Sequence, residues 1–170
     1  LQTDAIIISS CLGVVWVGLI GTYKMIVNSV SGYVNLIFNS VISSFGNLIA
    51  TESREKQFQL FLVYRFFAIW VYGFSAVGFF LLLSPLVELY VGADRVLATS
   101  IIAWYLTDYF FKGERVVLSN FKTAAGVFEQ DKYLSILQGI VNLVLSIALV
   151  FKIGLAGVFI GTVVSGLIAN

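Results

Sequence analysis

Charge is scarce in this chain: 11% of its 170 residues are Asp, Glu, Lys or Arg, where a water-soluble domain carries roughly a quarter. So little charge cannot solvate a surface facing water. The net charge is +1, which leaves no basic surface for a phosphate backbone and excludes nucleic acid as a partner. Histidine is absent and Cys11 is the only cysteine, so an intrachain disulfide framework is impossible and zinc loses its usual ligands. There is no Gly-rich phosphate loop and no cofactor box. No two carboxylates stand together deep within an apolar segment, where an acid/base pair would have its proton affinities tuned. The sequence therefore favours transport without chemistry, with no cofactor and no enzyme activity.

What is present is apolar. Hydrophobic residues make up 59% of the chain and the mean hydropathy is +0.99, in runs of about 20 residues, the length that spans a hydrocarbon core. The expectation is an all-α integral membrane bundle of about five transmembrane helices plus a truncated one, forming one membrane domain over residues 1–170. The first segment, 1–12, is too short to cross alone and reads as the tail of a helix. Gly13, Gly18 and Gly21 punctuate a turn. A long helix is expected over 22–49, about 40 Å at ~1.5 Å per residue. A third segment covers 58–83 and stops at Ser84-Pro85. A fourth covers 96–121, a polar loop covers 122–132, and a fifth span covers 133–151. A tight turn at Lys152-Ile153-Gly154 then leads into a sixth run. The chain opens on Leu1 and closes inside an apolar segment at Asn170, so it reads as a piece of a longer protein.

Alternating helix directions place the loops at 51–57 and 122–132 on one side. Arg54, Lys56, Lys122 and Lys132 lie in these loops, with Arg65, Lys112 and Arg115 near by. The other side has only Lys24, Arg95 and Lys152, and the positive-inside rule puts the richer side in the cytoplasm.

Polar residues inside the apolar spans are expensive unless they meet protein or water. Asn28, Asn35, Asn39 and Ser43 fall near one face of the second segment, with Ser31 and Asn47 extending the stripe. Gln138, Asn142 and Ser146 repeat the pattern on the fifth. Either these side chains bind helix to helix, or they line a water-filled cavity. On the fourth segment Asp108, Lys112 and Arg115 share a face, and the spacing of Asp108 and Lys112 suits a helical ion pair. Arg65, Lys112 and Arg115 lie at similar depth. They either snorkel to the headgroups or converge as an anion site, where arginine offers a planar fork to phosphate and lysine a point charge. Gly154, Gly157, Gly161 and Ser165 place a small residue every three or four positions, which suits close helix packing. Trp16, Trp70, Tyr90 and Trp104 suit an interface belt or core.

The run Thr3-Asp4-Ala5-Ile6-Ile7-Ile8-Ser9, followed by Leu12-Gly13, Val17-Gly18-Leu19 and Tyr23, resembles the start of the second half of bacterial polysaccharide flippases. Gly46-Asn47-Leu48-Ile49-Ala50-Thr51-Glu52-Ser53, Trp70-Val71-Tyr72-Gly73-Phe74 and Gly154-Leu155-Ala156-Gly157-Val158-Phe159-Ile160-Gly161-Thr162 add to it. The family is the O-antigen or oligosaccharide flippase branch of the multidrug/oligosaccharidyl-lipid/polysaccharide exporters. The resemblance implies most of the second lobe of a two-lobe transporter in the bacterial inner membrane. Its implied substrate is an undecaprenyl-pyrophosphate-linked oligosaccharide, flipped by alternating access for O-antigen or capsule synthesis. Membrane lipid, a polysaccharide polymerase and glycosyltransferases are the implied partners. Arg65, Lys112 and Arg115 would attract the pyrophosphate, and Asn28, Asn35, Asn39, Asp108, Gln138 and Asn142 would line the cavity. The rivals are a cation-coupled multidrug exporter, whose coupling carboxylates would include Asp4 or Asp108, and a membrane-embedded glycan polymerase.

Overall fold

The computed structural model describes residues 2–126 and 129–168, without the side chains of 2, 3, 129–132 and 168. Among the described residues every regular element is a helix. They are α1 (Gln2–Cys11), α2 (Val14–Asn39), α3 (Ile42–Thr51), α4 (Arg54–Val91), α5 (Thr99–Ala125), α6 (Glu129–Ile153) and α7 (Leu155–Ile168), with a short 3-10 turn at Ala93–Arg95. Three stretches, Val14–Thr51, Arg54–Val91 and Tyr133–Ile153, are long and apolar enough to cross a membrane, which marks the chain as a membrane protein. Its outer surface agrees. Phe66, Trp70, Phe74, Leu81 and Leu89 on α4 are all more than half exposed, a patch that water would not tolerate on a soluble monomer.

Several boundaries differ from the sequence expectation. Only Gly13 breaks the chain, at φ 102; Gly18 and Gly21 lie within α2, which begins eight residues before the expected 22. The long second helix is interrupted at Ser40-Val41 instead of running on to Ile49. Pro85 does not end the third segment, because α4 runs through it to Val91. A proline costs a single ladder hydrogen bond, and packing carries the helix past it, with Leu83 and Val87 fully buried on either side. The loop expected over 122–132 is mostly helical, since α5 continues to Ala125 and α6 starts at Glu129; residues 127–128 and the side chain of Lys132 lie outside the described residues, as do Leu1 and Asn170.

The bundle is built around α5. Although α5 is rich in charge, it buries Ile102, Leu106, Asp108, Tyr109, Gly113, Val117 and Asn120 and packs on α4, α7, α3 and α2. Pairing of Asp108 with Lys112 and of Glu114 with Arg65 is what allows a charged helix to sit among apolar ones. Tyr72 of α4 lies over Gly113, where any Cβ would collide with its ring. Tyr23 of α2 accepts from the Leu97 backbone N–H at 3.0 Å, tying the stretch before α5 to the core. At the sharp corner between α3 and α4, Ser53 caps α4, while the Gln57 amide donates to the Ile49 and Glu52 carbonyls at 3.2 and 2.9 Å. Those carbonyls would otherwise be orphaned at the end of α3.

Helices α6 and α7 form a tight hairpin turned at Gly154, whose φ is 64. Gly157 packs on the backbone of Leu149 and Gly161 on Ser146, so the small-residue spacing serves close approach. A Cβ on Gly157 would come within 2.5 Å of the Leu149 carbonyl group. Gly157→Val should therefore cost on the order of 1–3 kcal/mol, read as a lowered thermal midpoint of the purified protein. Gly78→Val, where an added Cβ meets nothing within 4 Å, should leave the midpoint nearly unchanged; equal losses for both would refute the packing argument.

Candidate functional site

The charges of α5 point in two directions from the helix. Asp108 and Lys112, four residues apart, form an ion pair and line a cavity of about 320 Å³ with Tyr105 and Tyr109. Across from them α1 contributes Asp4, α2 contributes Lys24, Val27 and Asn28, and α7 contributes Phe159. Two carboxylates thus face two ammonium groups, and the formal charges balance. Asp108 is 4% exposed. Its Oδ2 accepts from Lys112 Nζ, while its Oδ1 is buried and has no hydrogen-bond partner among the described residues. A buried carboxylate oxygen without a partner is costly.

Of the residues expected at the site, Asn28, Asp108 and Lys112 meet at this cavity. The other two cations do not join Lys112. Arg65 reaches from α4 to Glu114, its Nε at 2.8 Å from Oε1 and its terminal nitrogen on the same oxygen. Arg115 lies between α5 and α7, its guanidinium seated against Gly166 and its Nε buried without a partner among the described residues. The face that carries 108, 112 and 115 along α5 therefore meets two different neighbours: the cavity at its first two positions and α7 at the last.

The amides divide likewise. Asn35 accepts from the Tyr72 hydroxyl, which ties α2 to α4. Asn142 donates to Thr162 at 3.0 Å and Ser165 at 3.3 Å, joining α6 to α7 as interhelical glue. Gln138 is half-buried on α6, and Asn39 and Asn47 are exposed on α2 and α3. An exposed amide on a helix of membrane-spanning length must meet water or another protein surface, because lipid offers it nothing.

Lys24 is a site residue that the sequence placed elsewhere, and Asp4 is one that it named only as a coupling carboxylate of the rival exporter. Lys24 reads as a charge on the sparse side of the membrane, yet α2 starts at Val14, so Lys24 sits about 15 Å along the helix at ~1.5 Å per residue. The signal was its spacing of four from Asn28, which puts it on the same stripe. Asp4 is buried at 6% exposure and lies at the start of an apolar run, where nothing local reveals what it faces. Tyr105 and Tyr109, read only as part of an apolar span, supply the aromatic wall.

Comparison with protein-family models, with curated proteins and with solved structures returns no match.

The pairing of Arg65 with Glu114 leads to a direct test. Glu114 is only 12% exposed and Arg65 47%, so removing the arginine strands a largely buried carboxylate. Arg65→Leu should destabilise the protein more than Arg65→Leu combined with Glu114→Leu, with a coupling on the order of 0.5–3 kcal/mol. Additive losses in thermal unfolding would show that the pair carries no coupling.

Proposed function

We propose that this chain is a lobe of an inner-membrane transporter that flips a lipid-linked oligosaccharide by alternating access, with five helical crossings and part of a sixth. The observation that carries the reading is the cavity of Asp4, Lys24, Asn28, Asp108 and Lys112, a charged, partly unsatisfied pocket inside a bundle whose outside is apolar. Groups so expensive in hydrocarbon are kept where a polar cargo or a coupling ion passes. Lys24 and Lys112 offer two ammonium groups for a pyrophosphate, and Asp108 holds Lys112 while the site is empty. Tyr105 and Tyr109 offer flat faces to sugar rings, and Asn28 offers both a donor and an acceptor. The exposed amides of α2 and α3 then look across a wet space toward the opposite lobe. Arg65 and Arg115, held by Glu114 and α7 respectively, serve as structural charges. Membrane lipid, polymerase and glycosyltransferases are the partners that this activity requires.

A second reading, a cation-coupled exporter of the same superfamily, is favoured by one observation: Asp4 and Asp108, from distant parts of the chain, line the same cavity. The two readings separate by experiment in the intact protein. If the lysines grip phosphate, Lys24→Gln and Lys112→Gln should each reduce surface glycan assembly about tenfold or more, the effect of removing a charge-assisted contact of ~1.5–3 kcal/mol. Arg115→Ala should reduce it less. Unchanged glycan in the lysine variants, together with export of an organic cation that Asp4→Asn and Asp108→Asn abolish, would establish the second reading instead.

A further inference from the structure

The interruption between α2 and α3 has no glycine or proline, the usual causes of a break; its sequence is Asn39-Ser40-Val41. The backbone ladder runs as far as the Ser40 N–H donating to Leu36 and resumes with the Phe45 N–H donating to Val41. Between them, side chains take over the carbonyls. The Ser40 hydroxyl donates to the Ile37 carbonyl at 2.7 Å, a back-bond of the kind that bends helices. The Phe38 carbonyl accepts from the Tyr64 hydroxyl of α4 and from the Asn120 amide of α5 at 3.2 Å. The Asn120 amide also reaches the Tyr64 oxygen, at 3.4 Å. Three helices are thus pinned through one carbonyl oxygen.

The surroundings separate the two halves. Before the break, α2 carries Lys24 and Asn28 into the charged cavity. Beyond it, α3 is held by rings: Phe45 packs on Tyr64 at 4.7 Å and on Phe121 at 4.3 Å between centroids. Beside α3 an open groove of about 440 Å³ runs against α4, lined by Ser44, Phe45, Leu48, Tyr64 and Phe67, so α3 has room to move on that side. We propose that the α2–α3 break is a hinge, and that Tyr64 and Asn120 latch it by occupying the Phe38 carbonyl. Releasing the latch frees that carbonyl to accept again from the backbone N–H of Ile42, which straightens the helix and changes the angle between α3 and the cavity-bearing α2. The device does not depend on the identity of the cargo.

The test uses the intact protein in lipid nanodiscs, with Cys11→Ser and every other native cysteine replaced. Spin labels at Tyr33→Cys and Ala50→Cys, both exposed positions, report the bend by their distance. A control pair at Leu62→Cys and Val77→Cys lies within α4. Tyr64→Phe combined with Asn120→Leu should shift or broaden the distance distribution across the break and leave the control pair unchanged. Tyr64→Phe alone, which deletes one oxygen and keeps the ring contacts, should do the same to a smaller degree. An unchanged distribution across the break in both variants, or an equal change in the control pair, would overturn the hinge.

Discussion

A charged or amide group in hydrocarbon must find a partner or water, and most of this structure follows from that constraint. The helix with the most charge, α5, takes the central position, wrapped by α4, α7, α3 and α2. Its aspartate pairs with its own lysine, its glutamate with an arginine from α4, and its asparagine with a carbonyl of α2. The apolar helices turn many aromatic and aliphatic side chains outward, and Asn35 of α2 and Asn142 of α6 spend their amides on neighbouring helices. The second oxygen of Asp108 is buried without a hydrogen-bond partner among the described residues, and Asp108 and Lys112 together line the charged cavity.

The same constraint explains how far the fold could be read from the residues. Helical class and membrane character were legible because they depend on composition and run length, and the three longest apolar stretches express both. Element ends were less so. Gly18, Gly21 and Pro85 look like punctuation in isolation, but α2 and α4 run through them, with the packing of Leu83 and Val87 carrying α4 past the proline, whereas at the break after Asn39 a tyrosine and an asparagine far away in sequence take the Phe38 carbonyl. Helical spacing put Asp108 and Lys112 together correctly, and the small-residue rhythm of α7 was enough to anticipate its tight packing on α6.

The site was legible only where it lay on one helix. The relation of Lys24 to Lys112, or of Asp4 to either, depends on how α1, α2 and α5 are arranged around one another, and periodicity within a helix holds no information about that. Arg65 and Arg115 illustrate the converse. Their depth along their helices matched that of Lys112, but depth does not fix azimuth, and each faces a different neighbour. Asn142 and Asn35 show that a polar stripe can serve helix packing, while Asn28, on the same stripe as Asn35, lines the cavity.

The proposed cavity requires the face of α2 bearing Asn28 to look into water at membrane depth while the outer face of α4 looks into lipid. Single cysteines at Asn28 and at Phe74, introduced with Cys11→Ser, can be exposed in intact membranes to a water-soluble maleimide. Labelling is expected to be rapid at 28 and absent at 74, although Phe74 is 79% exposed on the isolated chain. Labelling at 74 with protection at 28 would contradict the proposed cavity.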